Sequence, residues 1–441
     1  MASRVAMALS RSPAARLPRA PFHSWLLASL VAACGSGADP AVHAAGQAPT
    51  DEGEAGAPDA ATPMSLEALG EALFFDRNLS RHRTQACSTC HDPERAFIDP
   101  RTNDSGLISA VSRGDDGVSL GDRNAPTVTY AALTIPIALG VDTRARHNKQ
   151  SKHRTYEGPL GGLFLDGRAE GLAGQALGPP LNPLEMGMPD EAAVVARVED
   201  NTAYVAALVA HFGDDVFDEP ETAYGAIGEA IAAFERTERF APFDSKYDRS
   251  LVGDATLSFK ELTGKSVFFS EFANCAICHQ LHQNGDPVRK LRETFTGYEY
   301  HNIGVPENRA VRAQNGVTEP DLGLANNAGF NDPEHRGKFK VPTLRNVAVT
   351  EPYMHNGVFR DLRTAVLFYE HFVDPEAHPV NPETDRPWLE PEFPETVSTE
   401  LLQVGNGLTE AEVDALVCFL RTLTDRRYEH LIADKGITCE D

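Results

Sequence analysis

The chain has 441 residues, enough for roughly three domains at about 150 residues each. Hydrophobic residues make up 41% and charged residues 24%, the proportions of a folded globular body, which exclude wholesale disorder, a collagen-like repeat and a miniature disulfide scaffold. Against 40 Lys and Arg stand 64 Asp and Glu, a formal net charge of -24; such a surface repels phosphate, which argues against nucleic acid as the main partner and disfavours an anionic lipid surface.

Residues 1–34 carry Arg4, Arg11, Arg16 and Arg19 with no acid before an apolar stretch, Trp25 to Ala33, too short to cross a bilayer as a helix. This reads as an export signal. It ends in Val31-Ala32-Ala33-Cys34, which is similar to the lipobox of bacterial lipoproteins. On that reading Cys34 becomes the lipidated first residue of a periplasmic, membrane-anchored chain; on the other, cleavage falls nearby and Cys34 is incidental. Residues 35–62 are Gly, Ala, Pro, Asp and Glu with almost no large apolar side chain, a composition expected to form a disordered tether. Two folded halves are expected to follow, 63–250 and 251–441.

Each half opens alike. Leu69-Gly70-Glu71-Ala72-Leu73-Phe74-Phe75 precedes Cys87-Ser88-Thr89-Cys90-His91, and Leu262-Thr263-Gly264-Lys265-Ser266-Val267-Phe268-Phe269 precedes Cys275-Ala276-Ile277-Cys278-His279. C-x-x-C-H is the pattern in which two thiols form thioethers to haem vinyl groups and the next histidine ligates iron. Two cysteines three apart on one helical turn straddle the porphyrin edge, and the adjacent imidazole reaches the metal. A zinc knuckle would need both pairs to converge from distant parts of the chain, and a disulfide within each pair would leave both histidines unexplained. Two covalent haems c are therefore expected, with His91 and His279 on iron. Tyr224, Ile227, Ile231 and Phe234 recur at helical period, as do Val413, Leu416, Val417 and Leu420, while no run shows sustained strand alternation. The expected fold is mainly α: two cytochrome c-like haem domains with long loops, each haem supplying apolar core. Cys418 and Cys439 remain, either as a disulfide or as two thiols, Cys418 lying within the last helix.

Further ordered motifs carry a resemblance. Arg123-Asn124-Ala125-Pro126-Thr127, Asp166-Gly167-Arg168, Gln175 and Pro179-Pro180-Leu181-Asn182-Pro183-Leu184-Glu185-Met186 follow the first haem motif. Tyr298-Glu299-Tyr300-His301-Asn302-Ile303-Gly304, Val341-Pro342-Thr343-Leu344-Arg345-Asn346-Val347 and Pro352-Tyr353-Met354-His355-Asn356-Gly357 follow the second. Over roughly residues 64–425 the chain resembles the bacterial di-haem cytochrome c peroxidase and MauG superfamily, and looks closest to the MbnH-type enzymes. The resemblance implies an exported enzyme that uses hydrogen peroxide to form a high-valent di-iron state and oxidises a partner protein at tryptophan. The alternative it leaves is a periplasmic peroxidase that scavenges peroxide with electrons from a small redox protein.

The resemblance also implies site residues. Glu185 is the distal acid/base, with Gln175 and Pro179 shaping the pocket; a solvated loop carboxylate is the plain alternative. Many relatives close the first iron with a histidine on the following loop, but residues 92–123 contain none, so an iron site already open in the ferric enzyme is expected. His147 and His153 fall in a basic insertion and are read as surface residues. A calcium ion is implied at the Asn124 side-chain oxygen and the carbonyls of Thr350 and Pro352, hard oxygen donors of the right type. Leu165 stands where the family carries Trp before Asp-Gly-Arg, and Phe164 would point the opposite way in an extended segment. At the second haem the sixth-ligand position falls on Tyr369, a hard anionic donor suited to oxidised iron, with Met354 as the alternative. Trp388, the one tryptophan outside the signal, is either a relay to a docked partner or a packed loop residue.

Overall fold

Two helix pairs, each crossing on a glycine, organise residues 63–143, 155–281 and 292–440, which the computed structural model describes. The signal, Cys34, the tether, His147 and His153 lie outside the described residues. The helices in chain order are α1 (Leu66–Phe74), α2 (Cys87–Cys90), α3 (Leu172–Ala176), α4 (Gly178–Leu181), α5 (Glu191–Glu199), α6 (Thr202–Phe212) and α7 (Pro220–Glu235). They continue with α8 (Lys246–Leu251), α9 (Phe259–Phe268), α10 (Arg309–Asn315), α11 (Leu362–Val373), α12 (Thr399–Leu402) and α13 (Glu410–Arg421). Long irregular segments join them, and the described chain is mainly helical with little sheet.

In the first pair Ser65 caps α1 by accepting from the Ala68 amide, and Leu69, Leu73 and Phe74 are buried against α7. A Cβ on Gly70 would stand 1.8 Å from the Ala230 carbonyl oxygen, so this crossing exists only because position 70 has no side chain. The second pair repeats the device. Capping boxes at Ser258 and Thr409 start α9 and α13, and a Cβ on Gly264 would stand 1.8 Å from the Ala415 carbonyl oxygen. Each glycine lies one turn before a buried phenylalanine, Phe74 or Phe268, that anchors an aromatic nest. Phe74 meets Phe97, Phe234 and Phe240; Phe268 meets Phe295 and Phe419. The apolar interior accordingly forms two large clusters, one from Leu69 to Phe240 and one from Tyr247 to Ile437, within a single compact unit.

One departure from the sequence reading is an antiparallel hairpin, β1 (Ala138–Thr143) with β2 (Thr155–Leu160), pairing Ala138 with Leu160 through Thr143 with Thr155. Its apolar members Leu139 and Val141 are exposed, so no buried face imposes the strand period that sequence reasoning relies on. Two shorter antiparallel pairs, β3 (Tyr300–His301) with β4 (Phe339–Lys340) and β5 (Val380–Asn381) with β6 (Arg386–Pro387), complete the sheet content among the described residues. Cys418 and Cys439 form a disulfide, resolving the alternatives left open above. It holds the C-terminal segment to α13, where Ser258 donates to the Cys439 carbonyl at 2.6 Å and Arg421 to that of Ile437 at 2.7 Å. No helix among the described residues is long and apolar enough to cross a membrane.

The glycine crossings are testable by adding one methyl group. Gly70→Ala and Gly264→Ala must each separate two backbones, and overpacking of this kind costs about 1–3 kcal/mol. Both variants are expected to melt below the parent in thermal unfolding of the haem-loaded protein; unchanged melting would show that the crossings can open freely.

Candidate active site

Both C-x-x-C-H segments open onto one cavity of about 990 Å³, whose wall includes every residue singled out above for haem, iron, calcium or acid–base duty. The first motif forms the single turn α2, held at its start by the Ala86 amide donating to Thr89 Oγ1 at 2.9 Å. None of Cys87, Cys90, Cys275 and Cys278 is in a disulfide. Burial pushes the thiols of Cys87 and Cys275 up to about 12 and that of Cys90 to about 11, so all three are protonated before any bond to a cofactor forms.

The two histidines are held identically. His91 Nδ1 lies 3.0 Å from the Phe97 carbonyl oxygen and His279 Nδ1 lies 3.1 Å from that of Phe295. Both phenylalanines have left-handed backbones, φ 55° and 54°, which turn those carbonyls towards the rings. With Nδ1–H donating, each imidazole keeps the Nε2 lone pair for a metal. Burial keeps both rings neutral, lowering His91 and bringing His279 to about 4. Paired thiols beside a neutral, oriented imidazole fit covalent haem at both positions.

Opposite the first motif, α3 and α4 bring Gln175 and Pro179 to the wall, and the turn after α4 brings Glu185. The Glu185 amide donates to the Asn182 carbonyl at 3.0 Å, and the Met186 amide to that of Pro179 at 3.2 Å. Burial raises the Glu185 carboxyl above its ordinary value; the Arg168 charge and the Asn182 side chain pull the other way. Arg168 pairs with Asp166 at 2.8 Å and lies 3.5 Å over the Phe164 ring, while Arg123 joins Asp166 to Asp321. The extended geometry expected around Phe164 is corrected here. Phe164 is left-handed, φ 60°, so alternation breaks and both Phe164 and Leu165 border the cavity.

Asn124, Thr350 and Pro352 all line the cavity. The Asn124 amide nitrogen donates to the Ala110 carbonyl at 3.0 Å, leaving Oδ1 as the atom available to a cation, and its backbone N–H donates to the His355 carbonyl at 2.7 Å. An amide oxygen and two carbonyls suit calcium. At the second motif, Tyr369 on α11 is 36% exposed although protein surrounds it, because the exposed part faces the cavity. Burial, with the neighbouring Cys278 and Cys275, raises its hydroxyl. Met354 borders the cavity too. Trp388 does not line it: its indole N–H donates to the His378 carbonyl at 3.0 Å and its ring packs on Phe359, Phe368 and His371, the packed-loop arrangement.

Sequence reasoning missed two groups here. Glu299 bonds His301 at 2.7 Å and Gln280 at 3.1 Å, and with Cys278 the pair offers ligand atoms within 4.8 Å of one another; a thioether at Cys278 would remove the thiolate such a metal cluster needs. The other is Glu235, the last residue of α7, buried on the cavity wall with Oε2 unpartnered. The signal was present: Ile227, Ile231 and Glu235 recur every fourth residue, putting an acid on the buried stripe. Burial pushes the Glu235 carboxyl up to about 8, against the opposing Arg236 charge. The folded state then binds a proton that the unfolded chain has lost, so stability falls as pH rises from about 4.5 to about 8. Glu235→Gln is expected to flatten this part of the melting-temperature profile of the haem-loaded protein; parallel profiles for parent and variant would show that Glu235 does not titrate there.

Comparison with known proteins agrees with the geometry. The family model for di-haem cytochrome c peroxidase matches residues 65–256. Methylamine utilization protein MauG of Paracoccus denitrificans is 50% identical over 394 residues, 88% of this chain and 96% of that protein. Among solved structures, the diheme peroxidase BthA from Burkholderia thailandensis shares 33% identity with a TM-score of 0.71, over 86% of this chain and 91% of that one. A MauG-like protein associated with microbial copper homeostasis shares 29% with a TM-score of 0.57, over 85% and 93% respectively.

Proposed function

Because the chain belongs to the di-haem cytochrome c peroxidase and MauG family and is therefore a haem-dependent oxidoreductase using peroxide, we propose that it oxidises an exported partner protein, at tryptophan, rather than scavenging peroxide. The observation that carries this reading is Tyr369 at the second haem site. A phenolate there favours oxidised iron, which suits storing oxidising power for a slow protein substrate, whereas a thioether favours ferrous iron and rapid electron entry from a small donor. Identity of 50% across nearly the whole of a MauG protein points the same way.

Two covalent haems c would supply the iron that meets peroxide and the store for its two oxidising equivalents. The chain's own residues do the rest. Cys87 and Cys90 with His91 would hold the first haem, and Cys275 and Cys278 with His279 and Tyr369 the second. Glu185 takes the proton from one peroxide oxygen and returns it to the other, a carrier role that suits a buried carboxyl raised above its ordinary value. Gln175 and Pro179 limit the space around that transfer, and Asn124, Thr350 and Pro352 would hold a calcium ion. Each half is a haem domain, 63–250 and 251–441, and Cys34 anchors the chain in the periplasm. Leu165 borders the cavity where the family carries Trp, so the chain offers no indole at that position for charge sharing between the two haems it would hold.

Glu185→Gln keeps size and polarity while deleting the exchangeable proton, and general acid–base groups contribute about 100- to 10,000-fold. The variant's reaction with peroxide, followed by haem absorption, is expected to slow within that range; wild-type kinetics would remove Glu185 from the mechanism.

Tyr369→Phe is expected to retain the fold and lose the six-coordinate signature of the second haem, with loss of peroxide-driven oxidation of protein; an unchanged low-spin spectrum would assign the ligand to Met354. Peroxide-treated enzyme mixed with a co-encoded exported protein should add tryptophan modifications detectable by mass spectrometry. Turnover with a small reduced cytochrome and no such modification would establish the scavenging role instead.

A further inference from the structure

Three segments meet behind Glu185: residues 80–86, which run directly into Cys87; the loop 112–121; and residues 182–187, which carry Glu185 itself. Asp115 is the residue common to all three. Its side chain is almost fully buried, and Oδ2 accepts from both the backbone N–H and Nδ1 of His82 at 2.6 Å. Oδ1 accepts from the Thr84 amide at 3.2 Å and the Thr84 hydroxyl at 2.5 Å. From the same residue, the backbone N–H donates to the Glu185 carbonyl at 2.7 Å. Beside it a Cβ on Gly114 would stand 2.8 Å from the Leu184 carbonyl oxygen, so the loop backbone lies directly on the segment bearing the acid. Two further bonds cross between these segments, from the Arg81 amide to the Met186 carbonyl at 2.9 Å and from Gln85 Nε2 to the Arg113 carbonyl at 2.5 Å.

We propose that Asp115 is a positioning residue for Glu185: its carboxylate grips the segment leading to Cys87 and His91 while its amide grips the Glu185 backbone, so that one residue sets the separation between the acid and the first haem. The inference rests on the acid–base reading of Glu185. Burial alone would raise the Asp115 carboxyl; the donors from Thr84, His82 and Ser80 outweigh it and hold the group well below the usual carboxylate range, so the grip persists wherever the enzyme works. Proton transfer needs its partners within hydrogen-bond reach, and displacement by about 1 Å can cost roughly 100-fold. His82 and Thr84 do not line the cavity, which separates this role from direct contact with peroxide.

The test is a double-mutant cycle in the haem-loaded protein with hydrogen peroxide as the probe. Asp115→Ala is expected to slow the peroxide reaction roughly 10- to 100-fold in the parent and to add nothing in the Glu185→Gln background, while amide hydrogen exchange at 182–187 accelerates and the second-haem spectrum stays unchanged. Asp115→Asn, which keeps an oxygen for Thr84 but sets an NH2 group against the backbone N–H of His82, should give the same pattern at smaller amplitude and serves if the alanine variant misfolds. A wild-type rate in both Asp115 variants, or an equal loss in both backgrounds, would overturn the proposal while leaving Glu185 as the acid. A wild-type rate in Glu185→Gln alone would instead remove the reading on which the proposal stands.

Discussion

Backbone laid on backbone at two glycines determines where everything else in this protein can be. At Gly70 over Ala230 and Gly264 over Ala415 the helices approach to a distance no side chain would permit. One turn later Phe74 and Phe268 enter their nests and meet Phe97 and Phe295 at ring-centroid distances of 6.2 and 6.0 Å. Those two phenylalanines offer their carbonyls to His91 and His279. The path from glycine to phenylalanine to carbonyl to imidazole is thus the same in both halves, and it orients a metal ligand without any charged group. Dispersion and neutral backbone carbonyls, Phe97 for His91 and Phe295 with Pro342 for His279, suffice because the site is buried enough to keep the ring neutral.

Charge is treated differently on the cavity wall and behind it. Glu185 and Glu235, which face the cavity, have few donors, so burial raises both carboxyls above their ordinary value. Asp115, set back behind Glu185, is surrounded by donors and stays ionised. The same side-chain chemistry therefore yields proton carriers in one layer and fixed struts in the next, and the number of hydrogen-bond donors decides which.

Much of this was legible in the residues. The paired C-x-x-C-H segments, the helical periods around Ile227 and Leu416 and the repeated Phe pairs carry their geometry in their spacing, because covalent attachment and helix packing are local demands. Glu185, Tyr369 and Asn124 were legible only through resemblance, since nothing in the periodicity of a loop says which way a carboxylate or an amide faces. The hairpin from Ala138 to Leu160 escaped because its apolar residues face outward. The left-handed turn at Phe164 escaped because a single residue with positive φ, where no glycine advertises it, reverses the faces of everything after it. Asp115 is the plainest case. In sequence it is one acid among several in Arg113-Gly114-Asp115-Asp116-Gly117, and its neighbour Asp116 merely caps its own turn through Val118 and Ser119. Only tertiary placement separates the two.

The shared cavity bears on biogenesis. One largely apolar cavity of about 990 Å³ is bordered by both haem motifs. A chain that has received one prosthetic group would still have to close around the unfilled remainder, leaving apolar walls without contacts and buried thiols open to stray oxidation. Half-loaded molecules are then expected to be less compact than fully loaded ones, whichever haem arrives first.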